Sequence, residues 1–284
     1  MTPEQYCQNK AEKSGSSFYY SFFFLGKNQR KAITALYAFC REVDDIVDSD
    51  IDKNIAQTKL QWWRDEIKRL FDKKPQHPVT HALLPHITLM NLPEEYFMEI
   101  IDGMEMDLDQ HFYPTFENLS LYCYRVASVV GLLSAEIFGF KDRQTLKYAN
   151  NLGIAFQLTN IIRDVHEDAS RGRVYLPDDE IQQFGLTRDN ILQKQDSEEF
   201  RKLIAFQAER ALNYYQKAYD LLPMSDRYTQ RCGLMMAAIY QNTLAEVAFD
   251  DFAVLKHRIV LTPLRKIWLA LKVLIKESWT KLFH

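Results

Sequence analysis

Apolar residues recur at intervals of three and four along nearly the whole chain, and no stretch alternates at two for long enough to read as a strand. That periodicity predicts helices over about 28–50, 53–72, 79–90, 93–111, 116–139, 142–167, 188–193, 197–221, 226–251 and 263–283. The breaks fall at turn-forming stretches such as Lys73-Lys74-Pro75-Gln76-His77-Pro78 and Tyr113-Pro114. There is no low-complexity linker and no repeat of fixed period. The pattern therefore predicts one all-α domain spanning 1–284.

The last predicted helix differs from the others. From Lys256 onward there are seven basic residues (Lys256, Arg258, Arg265, Lys266, Lys272, Lys276, Lys281) against one acid, Glu277, interleaved with Leu264, Ile267, Trp268, Leu271, Leu274, Ile275 and Trp279. Two readings stand: a basic amphipathic helix lying on an anionic membrane surface, or a final helix docked on the core with a solvated basic edge.

Composition narrows the class. With 47% hydrophobic and 26% charged residues and a formal net charge of -3, the chain reads as globular, and nothing global points to nucleic acid. Cys7, Cys40, Cys123 and Cys232 form no CxxC pair, so neither a zinc site nor a disulfide framework is expected. The N-terminus has no apolar signal-peptide core and no stretch has eighteen uninterrupted apolar residues. The expectation is a cytoplasmic protein, with the inner membrane face as its one candidate attachment.

Two polar stripes carry candidate chemistry. Tyr37, Arg41, Asp44 and Asp48 are spaced four, three and four and share one helix face, flanked by Asp45; Gln157, Asn160, Asp164 and Asp168 share another, beside Arg163. Either DxxxD alone is compatible with a solvated acidic face. Each, however, follows apolar residues (Ile33, Leu36, Phe39 and Val43; Ile154, Phe156, Leu158, Ile161 and Ile162), and a polar stripe in a buried helix must be satisfied by something. Mg²⁺ is the natural candidate, since it takes one or two carboxylates plus water and substrate phosphate. Arg171 and Arg173, in the helix break that follows, suit bidentate contact with phosphate oxygens, although a basic surface loop reads the same way.

Taken together, DDIVD preceded by YAFCRE, NIIRDVHED followed by RGRVYLP, the run YCYRVASVVG at 122–131 and the opening SGSSFYYSF at 14–22 resemble the squalene and phytoene synthases, over about residues 10–260. The two aspartate motifs stand 120 residues apart, at 44 and 164. The resemblance implies a single isoprenoid-synthase helical bundle around a central cavity, a prenyltransferase that condenses two prenyl diphosphates head to head. It implies Asp44, Asp48, Asp164 and Asp168 as Mg²⁺ ligands, with Asn160 and Gln157 at the same end. Tyr37, Arg41, Arg163, Tyr240 and, by a looser match, Arg258 would contact diphosphate, and Tyr122 would sit near the reacting carbons. Ser14 stands where several relatives carry His, which puts that diphosphate contact in doubt. The opening together with ALYAFCREVDDIVD is most similar to bacterial presqualene diphosphate synthases of the hopanoid pathway, which use two farnesyl diphosphates and pass their product to downstream enzymes.

The alternatives are a phytoene or dehydrosqualene synthase of the same family, and, in a different class, a non-catalytic helical module at a membrane surface. A chain-elongating prenyltransferase ranks low, because the second motif reads Asp164-Val-His-Glu-Asp168 rather than DDxxD. No GxG occurs, so no nicotinamide cofactor is expected. The histidines read as surface or helix-end residues, and Asp102, Glu105 and Asp109 as a solvated face.

Overall fold

The computed structural model describes residues 1–13, 21–49, 51–109 and 112–283. Helices account for 77% of the structure and strand for 2%. The helices are α1 (Pro3–Lys13), α2 (Lys27–Asp48), α3 (Lys53–Phe71), α4 (Pro78–Ile87), α5 (Glu94–Asp109), α6 (Phe116–Cys123), α7 (Val129–Phe138), α8 (Gln144–Ser170), α9 (Asp178–Gln183), α10 (Arg188–Leu192), α11 (Glu198–Leu221), α12 (Arg231–Phe249) and α13 (Pro263–Phe283). Side-chain oxygens cap several starts: Asp52 accepts from the Asn54 N–H at 2.8 Å and Ser197 from the Phe200 N–H at 3.2 Å.

The structure corrects the expected pattern at several points. A two-stranded parallel ribbon pairs β1 (Phe112–Tyr113) with β2 (Val174–Pro177), although no strand was expected. Strands this short carry no period for a sequence to display. α1 and α9 are additional helices; α1 buries only Cys7 and Ala11, too little to mark an apolar face. The single helix expected over 116–139 is present as one run from Phe116 to Phe138, with a π-turn at Tyr124–Ser128 joining α6 to α7. Of the histidines, His77 caps the start of α4 and His86 lies buried in its last turn, both at helix ends as expected, whereas His166 sits between the Leu255 carbonyl (2.6 Å) and Lys194 (3.0 Å). Asp102 and Glu105 are ion-paired to Arg64 of α3, and Asp109 to Lys53 at 2.7 Å.

Two cores flank the site. One is built on α1 to α5 with the inner face of α7, around Phe39, Trp63 and Phe97. The other is built on α6, α8, α11 and α12 around Tyr113, Tyr148 and Tyr215. α8 packs along α11, α7 and the π-turn. Its Gly153 permits the last of these contacts: a Cβ there would meet the Ser128 Cα and lie 2.7 Å from the Ser128 nitrogen. α2 and α8 thus belong to different cores, and their polar stripes open into the same cavity between them.

α13 packs against α12. Leu269, Ala270 and Glu277 are buried, and Glu277 accepts from Arg227 at 2.7 and 3.0 Å. The docked reading of this helix holds for that face, while its Leu264, Trp268 and Trp279 are exposed.

Candidate active site

The cavity between the two cores has a volume of about 510 Å³. It gathers Tyr37, Arg41, Asp44 and Asp48 from α2, Gln157, Asn160, Arg163, Asp164 and Asp168 from α8, Arg173 from the turn before β2, Tyr122 from α6, and Arg258. These are the residues the two stripes and the motifs singled out. Tyr240 lines an adjoining, mostly apolar cavity of about 220 Å³ with Tyr37, Phe138, Tyr148, Phe156 and Gln230. The Arg163 guanidinium is 5.9 Å from the Tyr240 ring centre, so the two cavities meet at that pair. Ser14 and most of the SGSSFYYSF stretch fall outside the described residues.

Guanidinium groups hold Asp44, Asp48 and Asp164. Arg41 bonds both Asp44 and Asp45. Arg171 and Arg173 reach across from the end of α8 to the same Asp48 oxygen at 3.2 and 3.4 Å, and Arg173 also donates to the Val47 carbonyl at 3.1 Å. These contacts tie the end of the second stripe to the end of the first. Asp164 receives Arg163 at 2.7 Å and Arg258 at 2.8 Å. The carboxylate of Asp168 makes no ion pair or hydrogen bond among the described residues. Its pKa is pushed up to about 7, first by burial and then by the charge of Asp164. Asp44 is pushed up to about 6, again mainly by burial; Arg41 opposes the shift and Asp48 adds to it.

Several site residues escaped the motif analysis. Asp107 of α5 lies buried in the cavity wall, where its two oxygens accept from Tyr122 and Tyr175, each at 2.9 Å. Burial pushes its pKa up to about 6. The same rings form an aromatic stack, Tyr113, Tyr175 and Tyr122 lying with centres 5.3 to 5.9 Å apart. The signal for Asp107 was its phase: Ile100, Met104 and Asp107 share the inward face of α5, whereas Asp102, Glu105 and Asp109 point to other helices or outward. Lys266 of α13 is half-buried, and its ammonium is held below the usual lysine range by burial and by the positive charges of Arg163 and Arg258. Glu167 also lines the cavity.

The donor set fits a hard divalent cation bound together with a phosphate-bearing ligand. The Asn160 amide oxygen and one Glu167 carboxylate oxygen are buried without partners, and the charge of Asp168 is offset only at a distance, by Arg173 and Arg171. Among the described residues no three acidic, His or Cys side chains stand close enough to cage a metal unaided. Any ion held here would share the carboxylates with waters and ligand oxygens.

The squalene/phytoene synthase family model matches residues 11–265. The chain belongs to the squalene/phytoene synthase family. Members of this family are prenyltransferases, and so is this chain. It is 35% identical to the presqualene diphosphate synthase of Sinorhizobium fredii over 92% of its own length and 94% of that protein's. It is 33% identical to the phytoene synthase of Arthrospira platensis, covering 89% of this chain and 86% of the relative. Among solved structures it superposes on a dehydrosqualene synthase in complex with ligand with a TM-score of 0.84 at 28% identity, covering 98% and 96% of the two chains. The squalene synthase HpnC of Alicyclobacillus acidocaldarius gives 0.78 at 27% identity, covering 88% and 94%. The isoprenoid-synthase bundle expected from the motifs is therefore the fold of this family member.

Proposed function

We propose that this enzyme joins two molecules of farnesyl diphosphate head to head into presqualene diphosphate, with Mg²⁺ as its metal, releasing one diphosphate and one proton. The observation that carries this reading is the meeting of two opposed carboxylate stripes, a set of arginines and an apolar cavity at one place between α2 and α8. Relatives named presqualene diphosphate synthase, at 35% and 36% identity, support the product.

Magnesium held by Asp44, Asp48, Asn160, Asp164 and Asp168 would supply the positive charge that turns diphosphate into a leaving group. Arg41, Arg171 and Arg173 at one side, and Arg163, Arg258 and Lys266 at the other, bind diphosphate oxygens in place of the carboxylates that now occupy most of them. The prenyl chains extend into the cavity lined by Tyr240 and Phe156, which orients them and excludes water. The C1–O bond of the donor breaks and its electron pair leaves with diphosphate. The faces of Tyr122 and Tyr175 stabilise the allylic cation. The C2–C3 alkene of the acceptor attacks the donor C1. That carbon then loses a proton, and the C–H electrons close the cyclopropane onto C3 of the acceptor.

Burial holds the Tyr122 hydroxyl far above its usual ionisation range, so it accepts that proton only by passing its own to Asp107. The departing diphosphate is the competing acceptor. A second reading, condensation of geranylgeranyl diphosphate to phytoene, is favoured by the relatives of that name. Incubation with farnesyl diphosphate and Mg²⁺ without reductant, followed by mass spectrometry, separates them. A C30 monodiphosphate is the expected product. A C40 product formed from geranylgeranyl diphosphate alone would replace this reading with the second, and silence with both substrates would overturn each.

A further inference from the structure

α13 is docked by one face and apolar on the other. Leu264, Trp268, Leu271, Ile275 and Trp279 are spaced four, three, four and four, so they stack into one ridge along the helix. All five are exposed, by 41 to 80%, on the side turned away from the buried Leu269, Ala270 and Glu277. A final helix that served only to close the core would turn such residues inward. The ridge has a basic edge: Lys272 and Lys276 are exposed beside it, and the Lys272 ammonium lies 5.3 Å from the Trp268 ring centre. The single acid of the helix, Glu277, is buried in its pair with Arg227.

We propose that this ridge enters the headgroup–acyl boundary of an anionic bilayer, with the α13 axis parallel to the surface and Lys272 and Lys276 on the lipid phosphates. Exposed tryptophans flanked by lysines and free of outward acids suit that interface, where rings sit at headgroup depth and lysine stems lie along apolar surface. The charge pattern selects the occupant. A second copy of the chain would bring like-charged lysine edges together, whereas anionic headgroups neutralise them. The opposite face of the helix backs onto the active site: Leu269 belongs to a small cluster with Met236, Ile239 and Leu261, against which Phe156 and Tyr240 of the apolar cavity pack. A helix lying on lipid therefore places that cavity beside the phase in which long apolar chains dissolve.

Co-sedimentation of the full-length protein with vesicles tests this. Vesicles enriched in phosphatidylglycerol should bind it at least about tenfold more tightly than pure phosphatidylcholine, as two lysines near the surface require, with a blue shift of tryptophan fluorescence. Replacing Trp268, Ile275 and Trp279 by Ser should abolish pelleting without changing the circular dichroism spectrum, because those side chains are exposed. Lys272→Gln with Lys276→Gln should remove the preference for phosphatidylglycerol. Failure of the unaltered protein to pellet with phosphatidylglycerol vesicles overturns the proposal, as does unchanged pelleting of the serine variant. A dimer in analytical ultracentrifugation that the serine variant dissociates, with no vesicle binding, would assign the ridge to a second copy instead.

Discussion

The Tyr122 hydroxyl donates to Asp107 at 2.9 Å, and the other Asp107 oxygen is occupied by Tyr175 at the same distance. A buried carboxylate with both oxygens committed to phenols fixes the two rings on the cavity wall, and its pKa of about 6 lets it take up a proton near neutrality. Asp107→Asn retains a carbonyl acceptor for one phenol but cannot take a proton. We expect kcat to fall by about 10²-fold or more with little change in KM. The acidic limb of the pH–rate profile, near pH 6, should disappear. A variant with wild-type kcat and an unchanged profile would assign Asp107 to packing and leave the departing diphosphate as the base.

The aspartates of the two stripes should be dispensable for folding and required for turnover. Asp48→Ala or Asp168→Ala is expected to lower kcat by at least about 10³-fold, the scale of losing a principal electrostatic contact at the reacting centre. Circular dichroism and gel filtration should be unchanged. Wild-type rates in either variant would remove the metal assignment.

The same carboxylates set a pH dependence of stability. Asp168 is pushed up to about 7 and Asp44 and Asp107 to about 6, against about 4 in an unfolded chain. The folded protein thus holds more protons than the unfolded chain between about pH 4 and 7, and these groups lower stability as pH rises through that window. His77 and His86, depressed by burial, act in the opposite direction below about pH 6.5. The comparison that isolates the site is wild type against Asp168→Asn in metal-free buffer. At pH 8 the variant should melt higher, by a few degrees for each kcal/mol relieved, and the gap should close toward pH 5. Mg²⁺ with inorganic diphosphate should raise the wild-type melting temperature at pH 8 and leave the variant nearly unmoved. An equal gap at pH 5 and pH 8 would contradict the assignment.

The stripes were legible because a polar face on a largely buried helix breaks the apolar period visibly, and two such faces in ordered motifs are hard to produce by chance. Asp107 was not, because it lies within a run of acids whose other members point elsewhere; its neighbours Ile100 and Met104 marked its face, but the charge count hid it. The π-turn at Tyr124–Ser128 leaves no trace in a pattern of threes and fours, since one added residue shifts the phase without interrupting the apolar run. Lys266 was not singled out from sequence, because its nearness to the charges of Arg163 and Arg258 depends on where α13 docks. The same docking explains why the docked reading of the terminal helix holds for one face only: Leu269, Ala270 and Glu277 are buried, while Leu264, Trp268 and Ile275 are exposed.

Gly153 offers a test of how α8 and the π-turn shape the apolar cavity. A Cβ at this position would press on backbone atoms of Ser128 and Ala127, which cannot rotate away. Gly153→Ala should therefore force the two elements apart and cost about 1–3 kcal/mol, the usual range for overpacking, despite the better helix propensity of alanine. Gly153 and Ala127 both line the cavity, so product distribution should change along with stability. A variant as stable and as selective as wild type would mean that the contact is looser than the structure has it.

The pair Arg227–Glu277 governs whether α13 stays on the body of the enzyme. Glu277 is almost wholly buried and receives two hydrogen bonds from Arg227, which is itself largely covered. Glu277→Ala leaves the guanidinium partly buried without its counter-charge, a loss of about 3–5 kcal/mol for a buried pair. Because α13 packs chiefly on α12, that loss should fall on the helix rather than on the whole fold. Limited proteolysis should then cut near Val260, which is exposed and precedes the helix, while the remaining chain keeps its helical spectrum. Activity should drop as well, through a raised KM for the prenyl diphosphate, because Lys266 and Leu269 leave with the helix. If the variant resists the protease and keeps its KM, the pair does not hold α13, and the hydrophobic contacts of Leu269 and Ala270 alone suffice.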